Sequence, residues 1–196
     1  MGLRKKAQYL SLGLRDKADY LIKKDKAKYG QKLYSSLIER LTLTFPLSIS
    51  ALADSLINIC LEELLLLEMT IIIRNEGDNS FSHFAYKGYD NFDGNDFQLA
   101  GDNPVIACLL DKVGEPVDLS EVLDLEDDDP DSKFMRHYHL NYGIAMGYRD
   151  KVHGFIFLGR REYDEPYEER EEDFLRFLSS YSAMLVSLVR ESSARI

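Results

Sequence analysis

The side chains in this 196-residue sequence that could react or hold a ligand are few and scattered: His83, His137, His139 and His153, two cysteines, and seven acidic residues between Glu121 and Asp131. His137 and His139 share a face only in an extended strand, and a metal there would still need further ligands. They read as pocket or surface histidines, and no metal site is expected. Cys60 and Cys108 form no CxxC pair, which argues against a disulfide framework and a cysteine-based zinc site and fits a reducing, cytoplasmic setting. Cys60 sits in a greasy helical stretch and reads as a small core residue. The acidic run lacks the alternating ligands, the glycine at position six and the glutamate at position twelve of a calcium loop, so it reads as a solvated loop. No GxSxG, HExxH, GxxxxGK[ST] or GxGxxG is present, and no spacing singles out a catalytic carboxylate pair. The expectation is a non-enzymatic chain with no catalytic residues and no cofactor.

Charge is divided more sharply than its total of -10 suggests. Residues 1–32 carry ten Lys/Arg against three Asp, so a basic arm precedes a strongly acidic body. Such a body repels nucleic acid and anionic lipid, and no nucleic-acid partner is expected; the basic arm suits an acidic partner. There is neither an apolar h-region nor a run of 18 apolar residues, so neither a signal peptide nor a membrane span is expected.

The elements that must position these groups follow from periodicity. Leu3, Ala7, Leu10, Leu14, Ala18 and Leu21 make one thin helical stripe that needs a partner to be stable, and Leu33, Leu37 and Leu41 resume the period after Tyr29-Gly30. Residues 1–45 are therefore expected to be a helical extension, and 46–196 a domain. Phe45-Pro46 resets the chain, and a helix is expected from Ser48 to about Leu66. Met69–Ile73 and Phe81–Tyr86, joined by turn chemistry, read as a hairpin, and Phe97-Gln98-Leu99 as a short edge strand. Asn103 as N-cap, Pro104 at N1 and Gly114 as C′ punctuate a helix. A brief extended piece at Glu115–Leu119 leads into an acidic loop over Asp124–Asp131, and a short helix or turn over Phe134–Leu140 follows. Asn141–Tyr148 and Val152–Arg161, split by Arg149-Asp150-Lys151, form a hairpin apolar on both faces, which marks the middle of a covered sheet. Along it Ile144, Met146 and Tyr148 oppose Ala145, and Val152, Ile156 and Leu158 oppose Phe155 and Phe157. A long amphipathic helix with acidic first turns ends the chain.

In this order, four patterns carry a resemblance. They are Asn103-Pro104-Val105-Ile106 with Gly114–Leu119, Tyr142-Gly143-Ile144-Ala145-Met146, Lys151–Gly159, and Tyr167–Leu175 opening the last helix. Over residues 46–189 the chain resembles the GAF domain family. The resemblance implies an α/β fold of the α+β type, with a central antiparallel five- or six-stranded sheet. It puts long helices on one face of that sheet and a loop and short-helix segment on the other. It further implies a sensory or regulatory role in signalling. Cyclic-nucleotide binding is not expected, since Leu158-Gly159-Arg160-Arg161 is followed by Asp164-Glu165 without the family's Asn-Lys pair. A covalent bilin is not expected either, since Leu109 rather than His follows Cys108. Nor do the two cysteines match the set of the methionine-sulfoxide-reducing members.

The family's small-molecule side is the face under residues 105–140. There Phe134, Tyr138, Tyr142 and Phe155 are expected to form an apolar wall, with His83, His137 and His139 as polar groups. The alternative is that these aromatics meet one another and fill the space, leaving a protein–protein interaction module. The acidic loop favours a neutral or cationic small-molecule ligand over an anion. The apolar surface of the last helix and the thin stripe of the arm lead to the expectation of a homodimer.

Overall fold

The computed structural model describes residues 39, 49–75, 77, 79–89, 98–125, 129–163 and 165–193, with backbone alone at Ile49, His83, Ser192 and Ser193. The helices expected in the arm lie outside the described residues.

Six strands form one antiparallel sheet in the order β3-β2-β1-β6-β5-β4. These are β1 (Met69–Arg74), β2 (Ser80–Lys87), β3 (Gln98–Ala100), β4 (Val117–Asp118), β5 (Tyr142–Tyr148) and β6 (Lys151–Leu158). The β5–β6 hairpin lies inside the sheet, because β6 also pairs with β1 through Met69↔Leu158 and Ile71↔Ile156. On one face α1 (Ile49–Glu63) packs on β1 and β2, and α5 (Glu169–Ser193) packs on β5 and β6. The other face carries α2 (Pro104–Leu110), α3 (Ser120–Leu125) and α4 (Pro130–His137). The architecture is the expected α+β one.

Between the sheet and α2–α4 the described residues share one buried apolar cluster. Ile72, Ala145, Phe155 and Phe157 from the sheet join Ile106, Leu109, Leu123 and Met135 from the helices in one buried cluster. Phe155 is 0% exposed and meets the ring of Phe81 edge-on at 4.7 Å. Burying such side chains stabilises by about 1.5–3 kcal/mol each, so this layer is a main source of stability.

Local chemistry sets the short helices. Asn103 accepts the Val105 N–H at 2.9 Å with Pro104 at the first helical position, as its sequence requires. The helix ends earlier than expected, with Asp111 as its C-cap; Gly114 (φ +81°) turns the chain further on. The acidic stretch also differs from expectation. Part of it is helical, because Asp129 and Pro130 repeat the cap-then-proline arrangement of Asn103 and Pro104, and Asp129 accepts the Ser132 N–H at 2.8 Å. α4 closes with the Leu140 N–H on the Met135 carbonyl and the His139 N–H on that of Arg136. This is a Schellman closure with histidine, at φ +53°, in the left-handed position that glycine usually takes.

One expected alternation is corrected. Gly154 pairs with Met146 but Val152 pairs with Gly147, so His153 is an extra residue in β6. That bulge flips Val152 onto the face of Phe155 and Phe157 rather than that of Ile156.

The hairpin turn holds Arg149 at φ +50° and Asp150 at φ +59°, a two-residue turn of the type that favours Asn-Gly. Replacing Arg149-Asp150 by Asn-Gly should raise unfolding stability by about 1 kcal/mol, since left-handed backbone is costly for ordinary residues. The substitution removes only an exposed Arg149–Glu191 pair at 3.8 Å and an arginine over the Tyr148 ring, both weak at the surface. Urea unfolding of the two proteins checks this.

Candidate functional site

At the end of the sheet where β6 leaves and α5 begins, the chain encloses a cleft of about 850 Å³. Its floor is the β6 exit at Leu158 and Gly159, and one side is formed by Asp118, His139 and Tyr142. The opposite side is the connection from Arg160 to Tyr167, with Glu172 from the first turns of α5.

The cleft is built on two ion pairs. Glu68, its side chain only 4% exposed, takes both a backbone and a forked side-chain interaction from Arg160. Gly159 makes room for it, because a Cβ there would lie 2.7 Å from the Glu68 Cβ. Burial pushes the Glu68 carboxyl up. The hydrogen bonds and charge of Arg160, with a smaller contribution from His139, outweigh that and hold it below its ordinary 4.5. The second pair joins Arg161 to Glu171 at 2.6 Å, both side chains largely buried. Arg161 also donates to the Glu165 and Pro166 carbonyls and lies over the Tyr167 ring at 4.6 Å. Glu171 in turn accepts the Glu168 N–H at 2.8 Å at the start of α5. One arginine thus straps the connection to the sheet and to the helix start.

The Tyr142 hydroxyl reaches Glu172 at 3.3 Å, and the Tyr142 and Tyr167 rings lie 4.5 Å apart. Burial, then the charge and hydrogen bond of Glu172, then the charge of Asp118, push the Tyr142 phenol up to about 12. Both tyrosines are therefore neutral wall residues at physiological pH. Among the described residues no cluster of three His, Cys, Asp or Glu could hold a metal. Cys60 is fully buried, and burial pushes its thiol up.

Of the seven side chains expected to line a pocket, the six that are described are not brought together. Phe155 is core. Phe134 and Tyr138 are half-buried over that core with rings 4.7 Å apart, and the Tyr89 ring fills the other side of Tyr138 at 5.4 Å. His137 is exposed, with its ring edge on Tyr138, so it points away from the sheet face it was expected to serve. The backbone of His83 lies in β2, and its side chain is outside the described residues. Of the six described, His139 and Tyr142 reach the cleft. Tyr142 is separated from Phe155 because it falls in the alternation with Ile144 and Met146, on the α5 face. Sequence reasoning missed Asp118, Arg160, Arg161, Tyr163, Tyr167 and Glu172. The available signal was the dense Arg-Arg-x-Tyr-x-x-Pro-Tyr spacing straight after the central strand.

Removing Arg160 tests the first ion pair. In the wild type, Glu68 titrates below its unfolded value. Its contribution is therefore present above about pH 4.5 and is lost as pH falls through the depressed folded value. In Arg160→Ala the side-chain bonds and charge are gone, and only the backbone N–H of residue 160 and the charge of His139 still oppose burial, so Glu68 titrates higher than in the wild type and the deficit should grow as pH rises from 4 to 7. Adding Glu68→Gln should restore most of the loss at pH 7. Thermal unfolding of the three proteins across that range reads this directly.

No family model matches the sequence, and no curated protein matches it either. Solved structures do match. The GAF domain of a phosphoenolpyruvate-protein phosphotransferase from Coxiella burnetii superposes with a TM-score of 0.65 at 15% identity, over 84% of this chain and 96% of that one. The corresponding domain from Acinetobacter gives 0.63 at 15% identity, over 85% and 98%. A GAF domain/HD domain protein from Geobacter sulfurreducens gives 0.61 at 20% identity, over 73% and 95%. With an antiparallel sheet between a long-helix layer and a short-helix layer, and full-length superposition on those domains, this chain has a GAF-like fold.

Proposed function

We propose that this chain is a non-enzymatic regulatory module of GAF-like fold that works by pairing with a second copy of itself through α5. One observation carries the reading. Phe177, Tyr181, Met184 and Leu188 recur at steps of four, three and four along the outer side of α5, the spacing of a coiled-coil seam. Leu188 is 38% exposed, the other three are half-buried, and Phe177 stacks on Tyr181 at 5.7 Å. The helix meets the sheet through Phe174, Leu175, Leu178, Leu185 and Val186, and the exposed Leu188 carries the apolar stripe beyond those contacts. At 25 residues α5 runs about 37 Å, long enough for three turns of mutual packing.

The regulatory part of the reading is supported by the kind of protein that shares this fold, and a cytoplasmic setting by the two free cysteines. Among the described residues no helix is long and apolar enough to cross a membrane. The packed α2–α4 face favours action by protein contact over ligand binding on that side of the sheet. Replacing Met184 and Leu188 together by glutamate should convert a dimer to a monomer on size-exclusion chromatography with light scattering, while helicity and the unfolding midpoint are retained. A doubly substituted protein that remains dimeric rejects the α5 seam.

A further inference from the structure

The cleft at the end of β6 is a separate matter from pairing through α5, and its chemistry is selective. Each arginine in it is already answered by a carboxylate outside the lining, Arg160 by Glu68 and Arg161 by Glu171. Glu172 is shared between the Tyr142 hydroxyl and Arg176. Asp118 and Glu165 remain. Asp118 accepts only the Ser120 N–H, at 2.9 Å, and neither carboxylate has a cationic partner among the described residues. The cleft therefore presents uncompensated negative charge. Its wall is aromatic as well, with Tyr142 and Tyr167 at 4.5 Å and Tyr163 59% exposed beside them. That wall already carries one cation, the Arg161 guanidinium over Tyr167 at 4.6 Å. Tyrosine faces backed by carboxylates attract organic cations. The volume of about 850 Å³ is that of a small-molecule site.

We propose that this cleft binds a small organic cation, an ammonium or quaternary ammonium group on a compact body, seated on Tyr142 and Tyr163 and facing Asp118 and Glu165. The two carboxylates supply the charge, and the tyrosine faces select a weakly hydrated cation over an inorganic one. Asp118→Asn and Glu165→Gln act on exposed side chains and leave both supporting ion pairs in place.

The test is calorimetric titration of the full chain with choline, putrescine and agmatine, and with adenosine monophosphate as the anionic counterpart. At least one of the three amines should bind saturably at one site per chain. The Asp118→Asn/Glu165→Gln protein should bind it about tenfold or more weakly, and Tyr163→Ala should also weaken it, with unfolding midpoints unchanged. The proposal is overturned if none of the three amines binds saturably, if binding is the same in the carboxylate variant, or if the nucleotide binds in their place.

Discussion

Gly154→Ala should cost at least about 3 kcal/mol of unfolding stability, one of the two largest losses expected of any single substitution in this chain. A Cβ at that position would lie 2.3 Å from the Ile72 carbonyl oxygen, 2.7 Å from the Met146 Cε and 3.1 Å from the Ile73 Cα. Met146 can move its flexible end, but the two β1 atoms are backbone in a strand paired on both sides. Relief requires separating β1 from β6 at the middle of the sheet. The close approach also accounts for the bulge at His153, which lets β6 hug β1 and then recover its register with β5. Denaturant unfolding of the alanine variant measures the cost. Stability within about 0.5 kcal/mol of wild type would mean that the two strands are not so close.

Phe155→Ala should lose about 3–5 kcal/mol, the usual cost of deleting a buried aromatic side chain and leaving a cavity. The ring is 0% exposed, edge-on to Phe81 and 6.3 Å from the Phe157 centroid. The same variant tests whether the α2–α4 face is filled. An apolar cavity cut into a packed core stays dry and takes up benzene. Benzene should therefore raise the melting temperature of Phe155→Ala and leave that of the wild type unchanged. A wild-type protein that benzene stabilises equally has a void on that face, and the packed-face account fails.

What could be read from the sequence was what short stretches decide by themselves. Asn103-Pro104 starts a helix through one side-chain acceptor and one missing donor, and Tyr142–Leu158 forms a hairpin because its two apolar runs are only three residues apart. The same cap-and-proline logic lay in Asp129-Pro130, but the surrounding acids hid it and the stretch looked like a solvated loop. The His153 bulge was not legible, because it answers the approach of another strand, and with it went the correct side for Val152. The binding residues fared worst for the same reason. His139 and Tyr142 were named, but in company with Phe155, which strand alternation places on the opposite face from Tyr142. The cleft they do line joins residues from 118 to 172 over a floor fixed by Glu68, and no local window contains that arrangement.

The central claim is that copies of this chain pair through the outer side of α5. Sedimentation equilibrium of the wild-type chain, beside the Met184→Glu/Leu188→Glu protein, is the most direct measurement of it. At tens of micromolar the wild type should fit a monomer–dimer equilibrium dominated by twice the 22.6 kDa of one chain, and the doubly substituted protein should fit 22.6 kDa alone. A wild type that sediments as a single 22.6 kDa species throughout that range would contradict the claim.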